Sequence, residues 1–391
     1  MIATVDELKQ SARLLLEDNI LHFWLTKMQD TENGGFYGRM SGDGCIDAQA
    51  EKGCVLNARL LWTFAAAYRV LGKKEYLEAA LRAKDYFVSH FMDSEQGGVY
   101  WSVDYKGRPL DRKKQSYAIG FAIYGLSELA RATNDQQALD YAVKLFEDLE
   151  SNAYDHRNVG YIEALARDWQ PLGDMRLSDK DENGSRTMNT HLHILEPYTN
   201  LYRIWPDQRL ARQLKVLIGI FTEKLLNPQT HHLDLFFDDE WRGKRNIESY
   251  GHDIEAAWLL TEALEVLGDQ QLTDRVMPIV NQITHAAEDG LCEDGSMIHE
   301  DRDRDRQWWV ECECVIGELN QYQHFGDKSA LKKALSCYQY ILDHLVDDEH
   351  GEWFWSIRED GTVNRDDDKA GFWKCPYHNS RMCLEIIERK I

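Results

Sequence analysis

Apolar residues recur along most of the chain every three to four positions, which is the spacing that lines one face of an α-helix. Segments with this spacing alternate with short stretches rich in glycine, aspartate and aromatic residues. Glycine turns such as Leu71-Gly72-Lys73 separate several consecutive segments, as expected just past a helix end. The pattern predicts twelve helices, near residues 5–28, 54–71, 74–92, 115–132, 135–151, 187–204, 207–226, 250–267, 270–287, 308–325, 328–345 and 376–389.

A Gly-rich aromatic pattern recurs between these helices. It reads GGFYGRM from Gly34, GGVYWSVD from Gly97, GYIEALARDW from Gly160, HLDLFFDDEW from His232, GSMIHEDRD from Gly295 and GEWFWSIRED from Gly351. Successive starts lie 63, 63, 72, 63 and 56 positions apart. A period of this size indicates one supersecondary unit that is used repeatedly.

The even-numbered helices are more apolar than the odd-numbered ones. Residues 53–70 read GCVLNARLLWTFAAAYRV, whereas residues 73–91 read KKEYLEAALRAKDYFVSHF. This difference predicts an inner ring of apolar helices inside an outer amphipathic ring. Six helical hairpins that close on themselves form an all-α (α/α)6 barrel, with short β-hairpins or loops at one mouth. An open solenoid is the alternative, but six units without evident polar caps favour closure, so we expect one domain over residues 1–391.

Composition and charge narrow the classes of partner. The chain has 391 residues, 43% of them hydrophobic, and a net charge of −22. So acidic a chain is repelled by phosphate backbones and anionic membrane surfaces, which argues against nucleic acid and lipid partners. The N-terminal residues contain early acids and no signal-like apolar core, and no stretch is long enough to span a membrane. With eight cysteines but no C-x-x-C pair, we expect reduced thiols and a cytoplasmic protein.

Several polar and aromatic residues fall near the starts of even-numbered helices. Inner helices of a closed barrel all begin at the same end, so these residues are expected to meet at one mouth. Helix N-termini there also favour negative charge that develops during a reaction. The residues are Arg59, Tyr117, Asn189, His193, His252, Glu255, Trp308, Trp309 and His378.

Two histidines among them are candidates for acid–base chemistry. His252 and Glu255 lie three apart and so share a helical face, where a carboxylate would orient the imidazole and raise its basicity. His378 follows Pro376 in the first turn of the last helix. Each histidine alone is better explained as a structural polar residue, and their predicted meeting at one mouth makes a functional role equally well supported.

Arg59 lies inside an otherwise apolar helix, where an unpaired guanidinium is costly. It must pair with an acid or stabilise an anionic intermediate, and its place at the mouth favours the second. Trp308, Trp309 and Trp373 are ordinary core residues or flat surfaces on which a sugar ring stacks.

A metal site is not predicted. His191 and His193 are two apart and therefore point in different directions from one helix, and the same holds for Cys312 and Cys314. Asn189 and His193 are four apart and share a face that suits a polar ligand. The sequence contains no phosphate loop and no dinucleotide-binding glycine motif. We therefore expect no metal and no cofactor.

Four segments resemble the cellobiose 2-epimerases, which belong to the broader N-acylglucosamine 2-epimerase superfamily. They are MNTHLHILEPYTNLY at 188–202, SYGHDIEA at 249–256, WWVECECVIG at 308–317 and WKCPYHNSRM at 373–382. The resemblance extends over essentially the whole chain and implies the same (α/α)6 fold. One departure is Ser380, where many relatives have glycine, and it affects little else.

The resemblance also implies roles for individual residues. His252 and His378 would form the acid–base pair, with Glu255 supporting His252, and Arg59 would hold the sugar O1 and O2 oxygens. Tyr117, Asn189 and His193 would contact the opened ring, and Trp373 with either Trp308 or Trp309 would stack on the sugar. A hydrogen on C2 is acidic only if the resulting enediolate is stabilised, and two imidazoles can then invert the centre.

The expected function is therefore cofactor-independent epimerisation at C2 of the reducing-end sugar in β-1,4-linked disaccharides such as cellobiose, lactose or mannobiose. Aldose–ketose isomerisation and N-acylglucosamine 2-epimerisation are close alternatives. An inverting glycosidase with Glu255 and Glu313 as its carboxylates is an alternative from another class, and a non-catalytic sugar-binding protein is a third. We expect a monomer or a weak homodimer, and the sequence leaves open which histidine serves which epimer.

Overall fold

The computed structural model describes residues 2–245 and 247–391, which contain twelve helices. Helix α1 is continuous through Val5–Leu14, a π-helical stretch at Leu15–Leu21, and His22–Thr26. The others are α2 (Cys54–Leu71), α3 (Lys74–His90), α4 (Ser116–Thr133), α5 (Gln136–Asn152), α6 (Met188–Ile204), α7 (Gln208–Ile220, with a π-helical end at Phe221–Leu225), α8 (Tyr250–Leu267), α9 (Gln270–Ala287), α10 (Trp308–Phe325), α11 (Lys328–Tyr340, with a π-helical end at Ile341–Leu345) and α12 (Tyr377–Glu388). All predicted helices are present, with boundaries no more than two residues from those expected.

The even-numbered helices form a closed inner ring. Each packs on the next, from α2 through α4, α6, α8 and α10 to α12, and α12 packs back on α2. Five outer helices pack on the inner helix that precedes them in the chain, whereas α1 packs against α12. The first and last helices therefore form the sixth hairpin, which closes the barrel. The predicted all-α (α/α)6 fold is confirmed, and the open solenoid is wrong.

Burial explains which helices lie inside. Helix α10 is buried on all sides from Trp308 to Gln321, as expected for a helix enclosed by neighbours. Helix α5 buries a single stripe at helical spacing, formed by Ala138, Ala142, Leu145, Phe146 and Leu149. The difference in apolar content between the two kinds of helix thus decides which ring each joins.

Nine short strands lie in the connections between helices of the described residues. The strands are β1 (Lys52–Gly53), β2 (Ser102–Val103), β3 (Lys114–Gln115), β4 (Ala164–Leu165), β5 (Arg186–Thr187), β6 (Phe236–Phe237), β7 (Gly243–Arg245), β8 (Arg306–Gln307) and β9 (Ser356–Ile357), of which β1, β3, β5 and β8 directly precede inner helices. All pairs are antiparallel: β1 with β2, β3 with β4, β6 with both β5 and β7, and β8 with β9. Every pair except β6 with β7 joins the connections of neighbouring helical hairpins. These pairs therefore fix the starts of the inner helices relative to one another.

A buried ion pair recurs at this end of the barrel. Asp30 follows α1 and binds Lys52 Nζ at 2.7 Å, and Asp93 follows α3 and binds Lys114 Nζ at 2.8 Å. The other carboxylate oxygen of each aspartate accepts two backbone N–H groups of its own turn. Asp155 with Arg186 and Asp347 with Lys369 repeat the arrangement. Each pair ties the loop after an outer helix to the segment before the next inner helix.

Candidate active site

A cavity of about 730 Å³ opens at the end of the barrel where the inner helices begin. All ten residues selected from the sequence line it: Arg59, Tyr117, Asn189, His193, His252, Glu255, Trp308, Trp309, Trp373 and His378. The structure thus brings together side chains from all six inner helices or the segments just before them.

His252 and His378 lie against the same indole ring. The centroid of Trp309 is 4.8 Å from that of His252 and 5.6 Å from that of His378. His252 Nδ1 is 2.7 Å from the hydroxyl of Ser249, the residue just before α8. His378 Nδ1 is 2.7 Å from Glu313 Oε1, which extends from α10. In each ring Nδ1 is engaged by the protein, so that Nε2 remains for a ligand.

Both imidazoles are neutral in this environment. Burial, followed by the nearby histidines, lowers the pKa of His252 well below its usual value. Burial, followed by the positive charges of Arg59 and Arg381, lowers the pKa of His378 in the same way. A neutral imidazole is the form that accepts a proton as a general base.

The expected contact between Glu255 and His252 is wrong. Glu255 Oε1 instead accepts a hydrogen bond from Arg381 Nη2 at 2.6 Å and lies 4.0 Å from His378 Nδ1. The two residues do share a helical face, but His252 in the first turn is bonded to Ser249, whereas Glu255 one turn deeper faces α12 across the barrel. Of the two proposed acid–base histidines, His378 is the one paired with a carboxylate, and that carboxylate is Glu313.

Arg381 joins three buried carboxylates beneath the cavity. Its Nη2 donates to Glu255 Oε1 and Glu313 Oε1, both at 2.6 Å, and its Nη1 donates to Glu196. Burial and the adjacent Glu313 raise the pKa of Glu255 to about 8, and burial also raises the pKa of Glu313. Three carboxylates around one guanidinium in a dry site therefore keep a proton at neutral pH. Neither Arg381 nor the pairing of Glu313 was identified from the sequence.

The sequence did contain a weak signal for both residues. Arg381 and Glu313 are charged residues inside predicted inner helices, which is part of the criterion that selected Arg59, although α10 and α12 contain other polar residues as well. Applied to every inner helix, the same criterion would have included them.

One group of metal-ligand atoms lies beneath the cavity, but a guanidinium already binds it. Atoms of Glu255, Glu313 and His378 lie within 4.8 Å of one another. Arg381 Nη2 bonds to both carboxylates at this point and supplies the positive charge that a metal ion would bring. His191 is also committed to the protein, since Nδ1 contacts the Thr187 carbonyl at 2.7 Å and Nε2 accepts the Tyr161 N–H at 3.0 Å.

Arg59 is buried without a carboxylate partner among the described residues. Its Nη2 donates to the Tyr117 hydroxyl at 2.8 Å, and its guanidinium lies 4.2 Å from the Phe121 ring centroid and 4.6 Å from that of Tyr377. Because burial raises the pKa of Tyr117, this hydroxyl stays protonated and can donate into the cavity. Of the two explanations that the sequence left open for Arg59, pairing with an acid is therefore wrong.

Helix α6 is kinked where it meets the cavity. His193 has non-helical backbone angles, φ −86° and ψ 16°, and Pro197 four residues later cannot donate to its carbonyl. The imidazole Nδ1 contacts Glu196 Oε2 at 3.1 Å, and burial lowers the pKa of His193 to about 4. Asn189 Oδ1 is buried and has no hydrogen-bond partner among the described residues, so it can accept a hydrogen bond from a hydroxyl of a ligand.

The model of the N-acylglucosamine 2-epimerase family matches residues 35–381. The chain belongs to this family. The resemblance seen in the sequence is thereby confirmed, and this chain is a carbohydrate epimerase.

Individual relatives of the epimerase are similar over nearly their whole length. A cellobiose 2-epimerase from Bacteroides fragilis is 58% identical over 386 residues, which cover 97% of this chain and 98% of that protein. One from Ruminococcus albus is 40% identical over 392 residues, which cover 99% of each protein. The solved structure of a cellobiose 2-epimerase from Bacillus thermoamylovorans superposes with a TM-score of 0.94 at 40% identity, covering 98% of this chain and all of that one.

Proposed function

We propose that this epimerase inverts C2 of the reducing-end sugar in β-1,4-linked disaccharides such as cellobiose, lactose or mannobiose. The observation that carries the proposal is the pair of neutral imidazoles, His252 and His378, beside the indole of Trp309. The same cavity contains Arg59, which has no carboxylate partner among the described residues. The names of the similar proteins support the choice of a disaccharide substrate.

In the proposed reaction, one imidazole removes the C2 proton of the opened sugar and the other delivers a proton to the opposite face. Arg59 stabilises the negative charge of the enediolate, and the Tyr117 hydroxyl donates to one of its oxygens. Fixed hydrogen-bond donors in a cavity without water stabilise developing charge far more than donors in water do, because they need not reorganise as the charge develops. Asn189 and His193 bind hydroxyls of the opened chain.

The contact between His378 and Glu313 accounts for the proton that the second imidazole delivers. If Glu313 is ionised, the His378 Nδ1 proton faces it and Nε2 is a base. If the buried carboxyl pair holds a proton, Nδ1 accepts it and Nε2 carries the hydrogen that faces the cavity. His378 can thus serve as base or acid, as a reversible epimerisation requires.

The same enediolate reprotonated at C1 gives a ketose, so aldose–ketose isomerisation remains a side reaction that product analysis separates. An inverting glycosidase is not supported. The two carboxylates proposed for it, Glu255 and Glu313, have oxygens within 4.8 Å of each other, whereas inversion needs roughly 6.5–9.5 Å between carboxyl groups.

Incubation of the purified protein with cellobiose in D2O tests the proposal. Deuterium is expected at C2, together with the glucosyl-mannose product. Free monosaccharide would instead indicate a glycosidase, and cellobiose and mannobiose that both remain unchanged would refute the proposal.

Two substitutions test the roles of the histidines. His252→Ala and His378→Ala are each expected to lower turnover by a factor of about 10² or more, the usual scale for loss of a general acid–base group. His285→Ala on the outer helix α9, where the side chain is 48% exposed, is the matched control and should turn over normally. Either cavity variant within tenfold of wild type would contradict the assignment.

We also propose a cytoplasmic location. All eight cysteines are free thiols, as expected in a reducing compartment. Within the described residues, every helix is too short or too polar to cross a membrane. A monomer or weak homodimer stays our prediction for the oligomeric state, and the acidic surface remains our reason to expect no nucleic-acid partner.

A further inference from the structure

Trp309 is the residue that contacts both candidate catalytic imidazoles, and its ring also meets a third histidine. The His299 ring lies edge-on to it, with centroids 5.5 Å apart. Helix α8 approaches the indole so closely that a Cβ on Gly251 would be 2.9 Å from Trp309 Cη2. A rotation of this indole would therefore displace the surface that both imidazoles pack against.

The indole is held by one hydrogen bond, from Trp309 Nε1 to Gln307 Oε1 at 2.9 Å. An indole N–H can only donate, so the amide oxygen of Gln307 must face it and the amide NH2 must face the other way. There the NH2 donates to Asp303 Oδ2 at 3.0 Å, and its nitrogen lies 3.0 Å from His299 Nδ1. The orientation of the amide is thus fixed at both ends.

Gln307 occupies a rigid position. It ends β8, which pairs with β9, and it directly precedes α10. His299 Nδ1 is also 2.9 Å from Asp303 Oδ2, and the His299 backbone N–H donates to the Asp305 carbonyl at 3.1 Å. The loop that carries His299 and Asp303 is therefore stabilised by its own hydrogen bonds. These two side chains fix the Gln307 amide, which in turn fixes the Trp309 indole.

We infer that Gln307 is a positioning residue for the reaction: it keeps Trp309, and through it His252 and His378, in the geometry of proton transfer. The inference rests on the proposed function, because it assumes that these imidazoles transfer the C2 proton. Gln307 lines the cavity, but its amide is engaged by protein atoms at both ends. The expected effect is therefore on turnover rather than on substrate binding.

Gln307→Met tests the inference, since methionine has a similar shape and neither hydrogen-bonds to the indole nor donates to Asp303. We expect kcat to fall about tenfold, because small displacements of reacting groups are costly, while KM changes less than about threefold. If the variant were only less stable, thermal unfolding would show a smaller folded fraction, and kcat per folded molecule would be unchanged. Gln136→Met, on the exposed surface of α5, is the matched control and should match wild type.

A double-mutant cycle with Trp309→Phe decides whether the effect passes through the indole. Phenylalanine keeps a ring but lacks the N–H, so Gln307→Met should slow the Trp309→Phe enzyme by less than about twofold. The inference is overturned if the single variant keeps the kcat of wild type, or if Gln307→Met slows the Trp309→Phe enzyme as much as it slows wild type. Deuterium incorporation by wild type, measured in parallel, tests the proposed function separately.

Discussion

His252 and His378 line one cavity but have different partners at Nδ1. Ser249 offers His252 a hydroxyl that can donate or accept, whereas Glu313 offers His378 a carboxyl whose pKa is raised by burial, as is that of the adjacent Glu255. A hydroxyl adapts to either ring tautomer at little cost. A carboxyl instead couples the tautomer of His378 to the protonation of the cluster around Arg381.

This coupling predicts an alkaline limb in the pH–rate profile. The cluster holds its extra proton below pH 8 and loses it above, so kcat/KM for the epimer whose C2 is protonated by His378 should fall as the pH rises through about 8. Glu255→Gln removes one of the two carboxylates that share the proton. The remaining Glu313 then lies beside Arg381 with one like-charged neighbour fewer, because only Glu196 is left, so the limb should move to lower pH.

Profiles of wild type, Glu255→Gln and the surface control Glu349→Gln, recorded from pH 5 to 10, measure this shift. Glu349 is 85% exposed, so its substitution should leave the profile unchanged. A wild-type profile that stays flat through pH 8, or a midpoint that Glu255→Gln does not move, would contradict the assignment of the limb to the cluster.

The sequence predicted which residues meet at the cavity better than it predicted their pairing. Position near the start of an inner helix was enough to place His252, Arg59 and Tyr117, because ring closure brings all those starts together. Helical spacing relates residues within one helix, so it suggested Glu255 as the partner of His252. The actual partner of His378 comes from α10, and the angle between two helices is not encoded in the spacing of either.

At the scale of elements, α4 and α6 are in unusually close contact at the kink. A Cβ on Gly120 of α4 would lie 2.2 Å from the carbonyl oxygen of His193. That carbonyl is free of the usual helical bond because Pro197 has no N–H. Glycine on one helix and proline on the other thus allow the approach that brings Tyr117 and His193 to within 5.1 Å between ring centroids.

Gly120→Ala is therefore expected to separate the two helices. The added methyl should destabilise the fold by about 1–3 kcal/mol, the usual cost of overpacking, and lower turnover because Tyr117 and His193 move apart. Gly219→Ala in α7, where a Cβ meets nothing within 4 Å, should be neutral or slightly stabilising. Thermal unfolding and turnover of both variants test this, and equal behaviour of the two would show that the approach is unimportant.

The helices themselves were the easiest elements to predict. Their apolar stripes and glycine stops are local signals, and inner and outer helices differ in composition alone. The packing of α1 against α12 was not foreseen, because it joins residues from opposite ends of the chain. Nor were the ion pairs before the inner helices, since they join distant residues across irregular loops; Asp30 and Lys52, for example, lie 22 positions apart.

At the scale of the whole molecule, a strongly acidic chain buries several carboxyl groups in its inner ring and in the loops at its mouth. Burial, with a smaller effect of a neighbouring acid, raises the pKa of Glu163 to about 7 and of Glu311 to about 8. Glu318 on α10 resembles them, with burial and the charge of Glu288 raising its pKa to about 8. These groups keep protons in the folded chain that they lose on unfolding, so the fold is less stable at alkaline than at mildly acid pH.

Glu318 is the best place to measure this effect, because it does not line the cavity and neither carboxylate oxygen has a hydrogen-bond partner among the described residues. Its folded pKa is about 8 and its unfolded value is near 4.5, so the free energy of unfolding falls as the pH rises between them and levels off above. Glu318→Gln is neutral at every pH and escapes this loss. We expect the variant to gain roughly 2–4 kcal/mol over wild type at pH 8.5 and much less at pH 5, measured by denaturant unfolding. Glu349→Gln should show no such trend, and a difference between Glu318→Gln and wild type that is the same at both pH values would mean that Glu318 is ionised in the folded protein.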